Sequence, residues 1–345
     1  MKNNNQKDVL IDVRNLKKYY PVRSGFFSKE HGTVYALDDV SFFIRENETL
    51  GLVGESGCGK STLGKCLLRA IEPTSGSINF KMPDGNMVDL MQLNKKEMRK
   101  VRPYMQMIFQ DPYSSLDPRM TIMDIISEPL ILNYNISGSE LLDRVAGLIQ
   151  DVGLEVKYLK RYPHAFSGGQ RQRIGIARAL AVNPRFIVAD EPVSALDVSI
   201  QAQILNLLND LQEKYKLTYL FITHNLSVVE YVSDRVAVMY VGKIVELANT
   251  RELYDNPLHP YTEALLSAIP VPDPTRKMKR IHLPGEVASP VNLPSGCYFH
   301  PRCLYRRKEC ENERPELREV YPGHFVACHF AEQLSLRGVK DITKN

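Results

Sequence analysis

Nine consecutive residues could grip a phosphate chain: Gly54-Glu55-Ser56-Gly57-Cys58-Gly59-Lys60-Ser61-Thr62. They fit the spacing G-x-x-x-x-G-K-[ST]. Glycines at these positions let backbone N–H groups curl around a β-phosphate, and a following helix adds the positive end of its dipole. Lys60 would reach the β- and γ-phosphates, and Ser61 would hold Mg²⁺. The spacing predicts an apolar strand over Thr49 to Val53 before the loop. It predicts a helix over Leu63 to Ile71 after it, with Leu63, Leu67, Leu68 and Ile71 on one face. Strand, glycine turn and helix together separate a phosphate loop from an accidental Gly/Ser-rich turn.

A second set of groups follows at a distance. Phe186-Ile187-Val188-Ala189 reads as a strand buried on both faces and ends in Asp190-Glu191. The Asp190 carboxylate could reach a Mg²⁺ shell, and Glu191 could orient a water for in-line attack and take its proton. Read locally, the same pair could be an acidic helix start. Ser167-Gly168-Gly169-Gln170 opens another predicted helix and offers a second anion site. The two glycine loops could hold one nucleotide if the fold brings them close, or if two chains pair head to tail.

These elements must be positioned by a chain of 345 residues, enough for one large or two modest domains. Strands are expected at Val9 to Val13, Val34 to Leu37, Val40 to Arg45 and Ser77 to Lys81. The second and third of these are expected to pair with the strand before the phosphate loop. Further strands are expected at Tyr104 to Phe109, Thr218 to Ile222, Val236 to Tyr240 and Lys243 to Glu246, the last two finishing the sheet. Met120 to Val152 is helical with a break around Asn133 to Gly138, and reads as an inserted helical subdomain. Prolines recur at 270, 272, 274, 284, 290 and 294, which predicts an extended linker or wrap. There is no internal repeat. The net charge of +4 gives no concentrated basic stripe, so nucleic acid is not an expected partner. No stretch approaches the roughly 18 apolar residues of a membrane span, and the start, Met1 to Asp8, has no apolar signal core. A cytosolic chain, attached to a membrane only through a partner, is expected.

Phosphate loop, Gln110, Phe166-Ser167-Gly168-Gly169-Gln170, Asp190-Glu191, Ser194-Ala195-Leu196-Asp197 and His224 occur in the order of an ATP-binding-cassette ATPase. The chain resembles that family from about residue 9 to 250; Phe166 stands where the family signature usually begins with Leu. The resemblance implies an α/β fold with a RecA-like core, a β-subdomain and the helical insert over about 117–175, the whole spanning 1–255. It implies that Tyr20 stacks on adenine, although Tyr19 competes for that place. Gln110 would bind Mg²⁺ or the attacking water, and His224 would hold the γ-phosphate. Ser167, Gly168, Gly169, Gln170 and Asp197 would act across a head-to-tail dimer on the other chain's ATP. Catalysis would then rest on Glu191, His224, Gln110 and Lys60, with Mg²⁺ held through Ser61, Gln110 and Asp190.

Asn256-Pro257-Leu258-His259-Pro260-Tyr261-Thr262 and the run Met107 to Arg119 resemble the ATPase subunits of dipeptide/oligopeptide importers. A nickel importer of the same group would look much alike. The resemblance implies a paralogous second ATPase, two transmembrane permease subunits and an extracytoplasmic substrate-binding protein, at the cytoplasmic face of the membrane. A soluble cassette of DNA repair or translation would carry a second cassette or a long coiled coil, and neither is present. A redox or metal sensor that uses the cassette for binding would bind nucleotide but barely hydrolyse it.

Cys297, Cys303, Cys310 and Cys328 crowd into the C-terminal part, within 296–331, between the 256–295 linker and a polar tail over 332–345. Four thiolates suit Zn²⁺ or an iron–sulfur cluster, and the tight C-x₂-C knuckle usual for zinc is absent. The importer resemblance, in which similar subunits carry a [4Fe–4S] cluster here, favours the cluster over Zn²⁺, with free thiols or a disulfide as the remaining alternative. His300, His324 and His329 keep a mixed-ligand zinc site open, or are surface histidines.

Overall fold

The computed structural model describes residues 9–23, 30–270 and 280–342. The polar start over 1–8, the loop around Gly25, Pro272, Pro274 and the last residues 343–345 lie outside them. In chain order the strands are β1 (Val9–Arg23), β2 (Glu30–Arg45), β3 (Thr49–Val53), β4 (Ser75–Lys81), β5 (Met87–Asp89), β6 (Met105–Ile108), β7 (Phe186–Asp190), β8 (Thr218–Ile222), β9 (Arg235–Tyr240), β10 (Lys243–Asn249), β11 (Arg318–Tyr321) and β12 (His324–Val326). The helices that matter below are α1 (Lys60–Leu67), α2 (Lys95–Val101), α3 (Ile122–Tyr134), α4 (Gly138–Asp151), α5 (Gly168–Leu180), α6 (Val198–Tyr215), α7 (Leu226–Val232), α8 (Thr250–Asp255) and α9 (Pro260–Leu266).

The chain divides into two compact units. The first holds Arg45–Thr49 and Gln92–Ile222. Its strands β6, β7 and β8 are parallel, with Met105 opposite Phe186 and Phe186 opposite Thr218. Every residue of β7 and β8 is buried, which explains their unbroken apolar runs. The helical stretch splits into α3 and α4 because Asn135 takes a left-handed conformation at φ 53° and ends α3. A capping box opens α3, in which Thr121 accepts from the Asp124 N–H.

The second unit holds Val9–Ile44, Leu50–Met91 and the chain from Thr223 onward. β3 pairs in parallel with β9, and β10 runs antiparallel beside β9. Among the described residues the expected pairing of β2 with β3 is not found. β1, β2, β4 and β5 form a separate antiparallel sheet in the order β2-β1-β4-β5. The two segments expected at Val34 to Leu37 and Val40 to Arg45 are one continuous strand, whose Leu37, Val40, Phe42 and Ile44 are buried. β3 is buried along its whole length and takes a parallel neighbour, whereas β1 and β2 are long and only partly covered. Nor does β10 finish its sheet: β12 pairs with it, and β11 with β12, so the cysteine segment contributes two strands.

The helix after the phosphate loop stops at Leu67, short of the expected Ile71. Arg69 turns left-handed at φ 45° and sends its guanidinium to the Leu90 carbonyl and the Glu72 carboxylate. A buried cluster including Val53, Val238, Tyr240, Tyr254, Tyr261, Tyr298 and Phe299 joins β3 and β9 to α8, α9 and the cysteine segment.

Candidate functional site

The phosphate loop follows directly from β3. A Cβ on Gly54 would lie 2.1 Å from the Met239 carbonyl oxygen, and one on Gly59, at φ 110°, 2.4 Å from that of Ala36. Only glycine lets the loop pass this close to two backbones. The Cys58 carbonyl accepts from the Gly242 N–H at 2.8 Å, which ties the loop to the turn between β9 and β10. Lys60 is buried, and its Nζ donates to the carbonyls of Gly54 at 2.7 Å and Glu55 at 3.0 Å. Its ammonium therefore sits inside the curl, where a phosphate could take over these bonds. Cys58 is buried beside it, and burial pushes its thiol up. Ser56 and Gly57 are exposed, and Ser61 and Thr62 are half-buried on the first turn of α1.

In the same unit, Tyr19 donates its hydroxyl to Asp38 at 2.7 Å and stacks its edge on Tyr35, with ring centroids 4.8 Å apart. Burial, with the Asp38 carboxylate beside it, pushes this phenol up. Tyr19 is thus held by Asp38 and Tyr35. The Tyr20 ring is half-buried, with the Lys18 ammonium 4.6 Å from its centre. His224 is exposed between β8 and α7, next to Asn225, which caps α7 by accepting from the Ser227 and Val228 N–H groups.

The first unit carries the carboxylates. Asp190 ends β7 and is 5% exposed. Glu191 leaves the strand in a left-handed conformation, φ 46°, with its N–H on the Ile222 carbonyl at 2.8 Å. A non-glycine residue held this way costs about 1–3 kcal/mol. Gln110 meets it, donating from Nε2 to Glu191 Oε2 at 2.9 Å. Ser167 caps α5 in a reciprocal box with Gln170, at 3.4 Å and 3.1 Å. Gly169 has a packing reason the sequence hides: a Cβ there would lie 2.5 Å from Ile200 of α6. Asp197 is exposed at the start of α6 and makes no side-chain cap.

Residues 37–194 match the family model described as ABC transporter, and 245–310 the one described as Oligopeptide/dipeptide transporter, C-terminal region. The oligopeptide transport ATP-binding protein AppF of Bacillus subtilis (strain 168) is 53% identical over 329 residues, 94% of this chain and 98% of that protein. This chain belongs to the ABC transporter ATPases. A putative peptide import ATP-binding protein of Brucella ovis is 54% identical over 92% of the ATPase and 97% of the relative. Among solved structures, the cassette MJ0796, in a dimeric post-hydrolysis state bound to ADP and Pi, gives a TM-score of 0.60. It is 30% identical and covers 70% of this ATPase and 99% of that chain. The cbiO1 cassette of Clostridium perfringens gives 0.60 at 26% identity, over 72% and 91%. The ABC fold and ATP hydrolysis expected from the motifs are therefore those of the family. No helix among the described residues is long and apolar enough to cross a membrane.

The four C-terminal cysteines of the ATPase line one small cavity of about 20 Å³, with His300 and His329 at its rim. Burial pushes the Cys297 thiol up to about 11 and Cys303 up to about 12, and raises Cys328 too. Among the described residues, no three His, Cys, Asp or Glu side chains are placed to hold a metal ion. The described geometry therefore supports neither the Zn²⁺ site nor the [4Fe–4S] cluster expected from the sequence. The reading of all three histidines as surface residues needs correction. His324 is buried and its Nε2 meets Glu246 at 2.7 Å. Glu246 is fully buried and also accepts the N–H groups of Leu258 at 2.7 Å and His259 at 3.0 Å. A buried carboxylate needs such partners, and His324 is not among the residues that line the cysteine cavity. His300 Nδ1 and His329 Nε2 each face a backbone carbonyl, Cys297 and Glu313.

The motifs did not single out Arg302 or Tyr261. Arg302 pairs with Glu55 of the phosphate loop, and the Tyr261 hydroxyl accepts the Glu55 N–H at 2.9 Å. The run Asn256 to Thr262 pointed to a family for Tyr261 but gave it no role. Nothing local marks Arg302.

Proposed function

We propose that this ATPase is the ATP-hydrolysing subunit of an importer of di- or oligopeptides, working at the cytoplasmic face of the membrane. The observation that carries the reading is identity of 53–54% with peptide-transport relatives along nearly the whole chain, extending through the matched C-terminal region. In this reading the cassette is residues 1–255, with its helical insert at about 117–175. Tyr20 holds adenine, and the N–H groups from Gly54 to Thr62, with Lys60, take the phosphates. Mg²⁺, held through Ser61, Gln110 and Asp190, neutralises charge on the phosphate oxygens. Glu191, aimed by Gln110, orients water and takes its proton, and His224 holds the γ-phosphate. Ser167, Gly168, Gly169, Gln170 and Asp197 meet the ATP of a second, head-to-tail ATPase chain.

ATP binding at both sites then biases an open–closed equilibrium that hydrolysis resets. Two permease subunits are driven by that closure, and a binding protein delivers the peptide. Phe109, Tyr113 and Leu132 are 44%, 57% and 64% exposed, apolar side chains fit for a permease helix. Cys297, Cys303, Cys310 and Cys328 would hold a [4Fe–4S] cluster, which would staple a segment with little core of its own. The test is transport itself. The chain, its partner ATPase and the permease pair are assembled in vesicles, and uptake of labelled di- and hexapeptides and of Ni²⁺ is followed. ATP-dependent peptide uptake is expected; uptake of Ni²⁺ alone would overturn the substrate assignment.

A further inference from the structure

Glu55 is held at three points. Its carboxylate takes both terminal nitrogens of Arg302, at 2.7 and 3.1 Å. Its N–H donates to the Tyr261 hydroxyl at 2.9 Å, and its carbonyl accepts from Lys60 Nζ at 3.0 Å. Two of the three holds come from the C-terminal region, and the third is the lysine of the phosphate loop. The side chains of Arg302 and Glu55 are 9% and 29% exposed, so the pair is part-buried, and the guanidinium fork fixes Glu55 in direction as well as distance. Arg302 sits in a short helical turn, His300–Arg302, flanked by Cys297 and Cys303. The same stretch carries Tyr298, which donates to Asp38 at 2.6 Å, and Asp38 is the acceptor that holds Tyr19 beside Tyr20. One turn of the cysteine segment therefore reaches both the phosphate loop and the strand of the adenine-stacking tyrosine.

We propose that Arg302 is a positioning residue for ATP: it fixes Glu55 so that the loop and Lys60 stay open to a triphosphate, and it cancels a carboxylate charge beside the phosphates. The proposal rests on the ATPase reading of the site. Without Arg302 the Glu55 carboxylate loses its counter-charge, within the loop that takes the anionic ligand. Ground-state and transition-state phosphates would both feel it, so the loss falls on KM and leaves kcat largely intact.

The full-length chain, in its assembled complex, is measured as wild type, Arg302→Ala, Arg302→Lys, Glu55→Gln and the Arg302→Ala/Glu55→Gln double variant. Titration with a fluorescent ATP analogue, ATPase kinetics and melting temperature are recorded for each. For Arg302→Ala we expect KM for ATP to rise about tenfold, with kcat within about twofold. Arg302→Lys should recover part of the affinity, and the double variant should bind better than Arg302→Ala, because the stranded charge is gone. Unchanged affinity in Arg302→Ala overturns the proposal. So does a loss shared equally by KM and kcat, tracked by melting temperature and not relieved by Glu55→Gln, which marks a structural brace. Failure of the wild type to bind ATP would instead remove the ATPase reading beneath it.

Discussion

The Gln110 carboxamide nitrogen lies 2.9 Å from Glu191 Oε2. The contact spans 81 positions of chain and joins the second residue after β6 to the residue after β7. A donor on one carboxylate oxygen leaves the carboxylate oriented by its neighbour and by a backbone already turned left-handed at φ 46°. For a base this is useful, because proton removal depends on placement before it depends on pKa. Glu191→Gln keeps the size and removes the proposed base. Its turnover is expected to fall by about 10²–10⁴-fold while ATP binding persists and closed dimers accumulate. Single-turnover hydrolysis alongside size-exclusion chromatography with ATP measures both.

His259 makes acid stability a sharp test. It is wholly buried at the start of α9, with Nδ1 accepting the Tyr261 N–H at 3.1 Å. Burial pushes its pKa down to about 3 from an ordinary 6.5. Between those values the unfolded chain binds a proton that the folded chain refuses. The stabilisation is therefore complete above about pH 6.5 and drains away as pH falls toward 3, approaching about 1.4 kcal/mol per pH unit. Urea midpoints should show this slope in the wild type. His259→Asn, which can still cap α9, should lose one proton's share of it; an equal slope in both would contradict the assignment.

Gly59→Ala probes the phosphate loop without altering charge. The added methyl meets the Ala36 carbonyl at 2.4 Å, on a backbone at φ 110° that alanine rarely adopts. We expect a stability loss of about 1–3 kcal/mol and a larger, separate loss of ATP affinity as the loop shifts. Calorimetry with and without ATP distinguishes the two, since a loop that cannot bind gains no ligand-dependent rise in melting temperature.

The [4Fe–4S] cluster proposed at Cys297, Cys303, Cys310 and Cys328 predicts a coloured protein. Purified without oxygen, the chain should be brown and carry about four irons. Serine at Cys297, Cys303, Cys310 or Cys328 should bleach it. Colourless protein with one zinc per chain would refute the cluster.

What the sequence made legible was local. β3, the glycine loop and the start of α1 could be read because strand, turn and helix N-terminus lie within about twenty residues and each leaves its own pattern. The buried run Phe186 to Ala189 was equally clear. Pairing was not: β1 and β2 share the apolar alternation of many strands, and only tertiary packing decides that they join β4 and not β3. The C-terminal end of α1 was missed because Arg69 carries no helix-stopping residue type, and its turn is set by the distant Leu90 carbonyl. His324 looked like a lone polar residue until Glu246, 78 positions away, supplied its partner. Arg302 and Glu55 are 247 positions apart, and neither flanking pattern hints at the other.

The pairing of β12 on β10 has a practical corollary for anyone trimming the gene. A version stopped before Arg318 would retain every nucleotide-handling motif yet leave one border of β10 with bare amides and carbonyls. Such borders recruit neighbours. The shortened protein is expected to scatter light and pellet on concentration, so the minimal cassette, as defined by its motifs, would be a poor reagent even with its catalytic residues intact.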